Sequence, residues 1–340
     1  MSTRYLILAE GRSDDPHHGK TARGVIRYAP EKVACVLDSQ RQGEELGELP
    51  IVGTVEEGMR FEPNTALVGV ATQGGRFPPA WRDLLKDCIA AGLDVENGLH
   101  EFLTDDSELV GLAAAHGVAL RDLRRPPPGL NVPTGENLDV DAHVVLTVGS
   151  DCAIGKMTVS LELHLEALSR GLASQFVATG QTGIAIAGWG IAVDAVVADF
   201  VAGAAEGLVL EGVRRGGELL WVEGQGALIH PQYSGVTLGL YHGAAPQTLV
   251  LCHRVGDRFV DGDPRFPIPS LSELVALHEE NALIARRAKV AAVALNTAAL
   301  AGDDARASVT DAELETGLPA DDPIRFGAAR IVDAVLDART

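Results

Sequence analysis

Residues 148–158 read VGSDCAIGKMT, and the fold of the chain turns on them. The apolar run AHVVLTVG at 142–149 leads into this stretch, and KMTVSLELHLEALSRG at 156–171 follows it. The first run has the length and β-branched content of a buried strand; the second has helical spacing of its apolar residues. A strand that ends in glycines and opens a helix curls its backbone, so that successive N–H groups converge on one point above the helix N-terminus and hold an anion there. Gly149 and Gly155 make the bend, Lys156 reaches a distal phosphate, and Thr158 supplies a hydroxyl. Ser150, Asp151, Cys152, Ala153, Ile154 and Met157 complete the expected phosphate-binding segment. Its spacing is G-x5-G-K-M-T rather than the usual G-x4-G-K-[ST]. Met157 therefore stands where a metal-binding hydroxyl belongs, and a thioether is a poor ligand for a hard cation. Anion binding is expected, and no metal ligands are assigned. Mg2+ enters only if Thr158 serves from a shifted helix start.

Outward from this loop, the second half continues as strands and helices. ASQFVATG (173–180), ELLWVEG (218–224), PQTLVLCHR (246–254) and AKVAAVALNT (288–297) read as strands. GAAEGLVLEGVRRGG (203–217) and LSELVALHEENALIARRA (271–288) read as helices. The first half alternates likewise: YLILAEG (5–11), KVACVLDS (32–39) and TALVGVAT (65–72) are strands, and AWRDLLKDCIAAGL (80–93) is a helix. DSELVGLAAAHGVALRDL (106–123) is a helix with a short final strand. Between the halves, RRPPPGLNVPTGENLDVDA (124–142) carries four prolines and can continue neither a helix nor a central strand. Two α/β domains are expected: a Rossmann-like parallel sheet over 1–130, and a P-loop NTPase-like three-layer α/β/α domain over 131–340.

A net charge of −19 argues against general affinity for nucleic acid or anionic membranes. Four dispersed cysteines make no disulfide framework. A short apolar N-terminal run without a basic start is not a secretion signal, and no stretch reaches the ~20 apolar residues of a membrane span. A cytoplasmic, soluble chain is expected, assembled as a homo-oligomer.

Glu223 sits at the end of an apolar strand, where a carboxylate can orient Mg2+, accept a proton or bind an ammonium; a capping or salt-bridged role is the plainer alternative. His230, Tyr233, Ser234 and His242 follow closely. The glycine-rich stretch 178–203 adds Thr179, Gln181, Thr182, Asp194 and Asp199. In the first half, GKT at 19–21 lacks the glycine spacing of a phosphate loop and reads as a helix start, from which Lys20 and Arg23 can still reach a phosphate.

GSDCAIGKMT, FVATGQTGIAIAG, VDAVVADFVAGAAE, WVEGQGALIHPQYSGVTLGLYHGA and VLCHR together resemble one family, that of the D-glutamate N-acetyltransferases, long filed as a domain of unknown function. VLDSQRQGEELGELPIVGTVEE, GGRFPPAWR and GLHEFL extend the resemblance through the first half. It implies transfer of the acetyl group of acetyl-CoA to the α-amino group of D-glutamate or a related D-amino acid. The product would pass to an N-acetyl-D-glutamate racemase. The loop and the VEGQGAL segment are also similar to dethiobiotin-synthetase-like enzymes, so an ATP- and Mg2+-dependent kinase or ligase is the alternative, and a non-catalytic CoA or nucleotide binder the third. The first half is similar in arrangement to the CoA-binding domain of succinyl-CoA synthetase, but AEGRSDDPHHGKTARG (9–24) replaces the G-x-G-x-x-G turn.

Under this resemblance the phosphate loop anchors CoA, whose phosphates need no transfer. Acetyl transfer requires a deprotonated amine, an aligned thioester carbonyl and donors for an oxyanion. Glu223 is the expected base or ammonium ligand, with His230 and His242 as alternatives. Backbone N–H groups of EGQGAL or GQTG are the expected oxyanion donors, and Cys152 is an alternative acyl carrier. Gln181, Thr182, Asp199 and Gln225 are expected at the substrate. Arg76, Arg82, Lys156, Arg254 and Arg258 are candidate carboxylate partners, Arg76 and Arg254 foremost.

Overall fold

A computed structural model describes residues 2–15, 18–78 and 80–339, apart from the side chain of Gln73. Pro16 and His17 of the 9–24 stretch, and Pro79 of GGRFPPAWR, lie outside the described residues. The chain divides into two compact units: Met1–Arg125 with Ile184–Gly188, and Pro126–Gly183 with Trp189–Thr340.

The first unit is built on a sheet of seven strands: β1 (Tyr5–Leu8), β2 (Val33–Leu37), β3 (Glu45–Leu46), β4 (Leu49–Val52), β5 (Thr65–Val68), β6 (Asp94–Asn97) and β7 (Leu120–Asp122). Their order is β3-β4-β2-β1-β5-β6-β7, parallel except for the β3–β4 edge hairpin. The chain winds outward from β1 through β2 to β4, then returns beside β1 at β5 and winds the other way, which is the doubly wound arrangement. Fully buried strands such as YLIL and VACVL belong in the centre of a parallel sheet, where both faces are covered. The antiparallel edge is the departure from an all-parallel sheet. Gly47, at φ 67°, makes its tight turn, and Pro50, which has no N–H, lies in β4 just before its pairing with β2 begins at Ile51. GKT at 19–21 is a helix start: Gly19 caps the helix Lys20–Tyr28.

The second unit carries β8 (His143–Gly149), β9 (Ser174–Val177), β10 (Leu219–Val222), β11 (Thr248–Arg254), β12 (Lys289–Asn296) and β13 (Ala320–Asp321). The order is β13-β12-β11-β8-β10-β9, and every pair is parallel. All seven residues of β8 are buried, as its central place between β11 and β10 demands. Val144, Leu146 and Val148 face a cluster with Leu208, Leu240 and Leu274, contributed by the helices Val201–Arg214, Ser234–Ala244 and Leu271–Glu280. Val145 faces the opposite cluster with Val159, Leu163 and Ile331, from the helices Lys156–Ser169 and Ala329–Asp337. The unit is therefore a three-layer α/β/α sandwich. Burial of this many branched aliphatics, at roughly 25 cal/mol per Å2 of apolar surface, makes these two layers the main favourable term in its folding.

Residues 271–288 do not form one helix. A capping box of Ser270 and Glu273 starts it, but it ends at Glu280. The chain then turns so that Arg286 can donate to the carbonyls of Asn137 (3.1 Å), Ala245 (3.2 Å) and Leu138, satisfying main-chain acceptors that a continued helix could not reach. Among the described residues, no helix is long and apolar enough to cross a membrane.

Candidate functional site

The carboxyl ends of β8, β10 and β11 meet around the loop 150–155. Gly155, with φ 113°, turns the loop into the helix Lys156–Ser169, a conformation that only glycine adopts without strain. The loop's carbonyls are drawn outward. Lys156 Nζ donates to the carbonyl of Asp151 (2.6 Å), Asn296 Nδ2 to that of Ile154 (3.2 Å), and Arg254 to that of Ala153. Ser150 N donates to the carbonyl of Cys252 (3.1 Å), and Ser150 Oγ pairs with His253 Nδ1 (2.9 Å). Among the described residues, no acceptor meets the N–H groups of Ala153, Ile154, Gly155 and Lys156. Carbonyls tied back and amides left open make an anion cradle.

Lys156 is 6% exposed, and no carboxylate among the described residues pairs with it. Burial pulls its pKa down, while the surrounding Cys152, Cys252, Asp151 and Glu223 favour the charged form. A buried ammonium held by one carbonyl is under-compensated, and an anion in the cradle would complete it. Its stem is accommodated by glycine on either side: a Cβ on Gly224 would lie 3.1 Å from Lys156 Cδ and only 1.8 Å from the carbonyl oxygen of Thr147. Met157 and Thr158 are half-buried on the first turn of the helix.

Glu223 follows β10 and is 4% exposed. One carboxylate oxygen accepts the N–H groups of Thr179 (3.0 Å) and Gly180 (3.1 Å), and the other accepts Gln225 Nε2 (3.2 Å). Thr179 Oγ1 donates to the Glu223 carbonyl (2.6 Å) and accepts from Gln225 Nε2 (3.1 Å). Burial pushes the Glu223 carboxyl up to about 7, outweighing the three hydrogen bonds that favour its ionised form. Gln181 and Thr182 begin the short helix Gln181–Ala187 directly after Gly180. Gln225, Thr179 and the start of this helix thus gather around one carboxylate beside the phosphate loop.

His230, 2% exposed, lies against Asp151, with Nε2 3.9 Å from Asp151 Oδ1. Its Nδ1 accepts the N–H of Gln232 (3.1 Å), so the neutral ring carries its hydrogen on Nε2, directed at the loop. Asp151, Cys152 and His230 place ligand-type atoms within 4.8 Å of one another. They do not suit a metal as arranged. The lone pair of Nε2 is the one a cation needs, and the Gln232 N–H on Nδ1 leaves the ring hydrogen in its place.

His242 stands apart from Glu223 in its bonding: its Nε2 lies 2.9 Å from the carbonyl of Asn281, near the C-terminal end of the helix Ser234–Ala244. Asp199 is exposed in the turn Ala198–Phe200. Arg76 belongs to the first unit and is exposed after the turn Gln73–Gly75. Arg82, also there, is engaged by Asp106 (3.0 Å) and Glu108 (2.6 Å). Arg258 is exposed just beyond β11, and Arg254 also pairs with Asp257 (3.6 Å).

Residues 131–332 match a family described as a domain of unknown function with a P-loop fold (DUF1611_C), and residues 38–126 match its Rossmann-like N-terminal domain (DUF1611_N). The chain belongs to this family. A relative from Tritonibacter scottomollicae, named D-glutamate N-acetyltransferase, is 37% identical over 341 residues, covering 98% of this chain and 99% of the relative. A relative from a Pseudoalteromonas species bears the same name and is 33% identical over 312 residues, covering 88% and 93%. The crystal structure of a family member from Anabaena variabilis superposes with a TM-score of 0.92 at 38% identity, covering 99% of this chain and all of that one.

Several residues of this family member's site escaped the sequence. Thr147 accepts the N–H of Gly224 (2.9 Å) and pairs with Ser160 (2.9 Å), bracing the ends of β8 and β10. His253 and Asn296 brace the loop from β11 and β12. Their one signal in the sequence is a polar residue at the end of an apolar strand, which Glu223 shares.

Proposed function

We propose that this chain transfers an acetyl group from acetyl-CoA to the α-amino group of D-glutamate. The two full-length relatives carry that name. The observation that carries the reading for this chain is the pairing of an open amide cradle around a buried, under-compensated Lys156 with a buried carboxylate poised near neutrality. The loop suits the pyrophosphate of CoA: amides 153–156, Lys156 and Arg254 would hold it. The donor supplies its acetyl group as a thioester, already activated. A substrate amine arrives as an ammonium without a lone pair, so it must lose a proton first. Glu223, buried and near neutral in pKa, is the group to take it; the freed amine attacks the thioester carbonyl, the C–N bond forms, and the C–S bond breaks to release the CoA thiolate, which takes up a proton as free thiol. Thr179, Gly180 and Gln225 hold that carboxylate in one orientation, and Gln181 and Thr182 offer polar contacts to the substrate beside it. His230 Nε2–H, aimed at the loop, is a donor for negative charge that develops on the acetyl oxygen. The product, N-acetyl-D-glutamate, would be consumed by a racemase acting on the N-acetylated amino acid.

The test is incubation of the protein with acetyl-CoA and a panel of D- and L-amino acids, following free thiol. Thiol release that requires D-glutamate supports the reading. Release of ADP from ATP, dependent on Mg2+ and a carboxylic acid, would replace it with a kinase or ligase.

A further inference from the structure

We infer that Tyr233 is the surface on which the uncharged arm of acetyl-CoA lies, between the donor's pyrophosphate and its acetyl group. The role rests on the acetyl-transfer reading: the cradle and Lys156 take the pyrophosphate, and the arm beyond it still has to be led to Glu223. Among the described residues, Tyr233 is the one aromatic side chain left exposed, at 47%, in a chain with only 4% aromatic residues. A single exposed ring is ordinary on a protein surface. The mounting of this ring is what sets it apart.

The ring lies against His230, with centroids 4.6 Å apart and planes tilted by 42°. That imidazole is 2% exposed and directs its Nε2–H at the loop, so Tyr233 borders the place where the acetyl oxygen would meet it. The main chain of Tyr233 is fastened to the segment that follows Glu223. A Cβ on Gly226, at φ 62°, would stand 2.7 Å from the Tyr233 carbonyl oxygen and 3.1 Å from Tyr233 Cβ, so only glycine permits this approach. Thr237 Oγ1 shares its hydrogen between the carbonyls of Gln225 (2.9 Å) and Tyr233 (3.0 Å). The N–H groups of Tyr233 (3.3 Å) and Ser234 (3.0 Å) both donate to the His230 carbonyl. A side chain mounted this way and packed on an imidazole has little freedom left to lose when a ligand arrives, which favours binding. Of the two substrates, D-glutamate carries two carboxylates and an ammonium, to which a neutral phenol offers no counter-charge. The donor's arm carries methylenes and a thioester sulfur, which pack on an aromatic face. The exposed ring matches the arm.

Binding of two probes tests the contact. Acetyl-CoA, and adenosine 3′-phosphate 5′-diphosphate, which is the donor without its arm, are titrated calorimetrically into the full-length protein and into Tyr233→Ala and Tyr233→Phe variants. Circular dichroism checks the fold, and phenylalanine keeps the ring while removing the hydroxyl. Tyr233→Ala should weaken acetyl-CoA at least about fivefold, the size expected for losing contact with the open part of an aromatic ring, and leave the armless probe within about twofold. Tyr233→Phe should leave both within about twofold. Weakening of acetyl-CoA by less than that in Tyr233→Ala, or equal weakening of both probes, overturns the contact. Thiol release with D-glutamate is followed separately in the parent protein. A parent that binds acetyl-CoA through Tyr233 yet releases no thiol loses the acetyl-transfer reading and keeps the contact, whereas a parent that does not bind acetyl-CoA loses both.

Discussion

Replacing Glu223 with glutamine isolates the proposed proton acceptor. The substitution keeps size and shape. One amide oxygen can still accept the N–H groups of Thr179 and Gly180, while the new NH2 meets Gln225 Nε2, which must flip to present its oxygen. Geometry therefore survives at a cost of about one hydrogen bond, ~1 kcal/mol. Ionisation does not survive. Loss of a positioned general base lowers kcat/KM by about 10²–10⁴-fold. In the parent protein, activity should rise with pH and level off above about 7, as burial-raised Glu223 ionises; in Glu223→Gln that limb should disappear. Stability carries the same signature with a defined sign. Below the ordinary value of 4.5 both folded and unfolded forms are protonated, and the buried neutral carboxyl contributes fully. As pH rises from 4.5 towards about 7 the unfolded chain ionises and the folded one resists, so this contribution is lost. At about 1.4 kcal/mol per pKa unit the loss is about 3 kcal/mol. Urea denaturation at pH 4.5 and 7.5 should show a smaller decline in the variant by that order. A variant with more than a third of parental kcat/KM, and the same acid limb, would place the base elsewhere.

Lys156→Ala should raise the dissociation constant of CoA at least tenfold, since a charge-assisted bond to a desolvated phosphate contributes ~1.5–3 kcal/mol; equilibrium titration reads it, and an unchanged constant removes the anchoring role. Cys152→Ser should keep kcat within threefold, because a small polar residue in the loop suffices; a loss above a hundredfold, with an acetyl-enzyme trapped in the parent protein and absent from the variant, would mark the thiol as the acyl carrier. Gly183→Ala places a Cβ 2.5 Å from Glu223 Oε2, so it should lower kcat more than it raises KM and destabilise the fold by ~1–3 kcal/mol. Wild-type kinetics and melting curves provide the comparison.

The features legible in the sequence are those written in contiguous residues. AHVVLTVG followed by a glycine bend and KMTVSLELH is a strand, a turn and a helix, because burial, backbone freedom and helical spacing act over neighbouring positions. Glu223 is legible for the same reason, as a charge at the end of LLWV. The supports of the site arise from pairs far apart in the chain. Arg254 reaches Ala153 across 101 positions, Asn296 reaches Ile154 across 142, and Thr147 meets Gly224 across 77; no local pattern encodes such meetings. The same limit explains the helix expected through residue 288. Its apolar spacing is sound to Glu280, but the pull of Arg286 on carbonyls near 137 and 245 is tertiary. His230 marks the boundary between the two kinds of information. Its place after the glycine turn was readable, but whether it presents a proton or a lone pair to the loop depends on Gln232 N–H filling Nδ1. That one main-chain donor makes Nε2 a hydrogen-bond donor rather than a metal ligand.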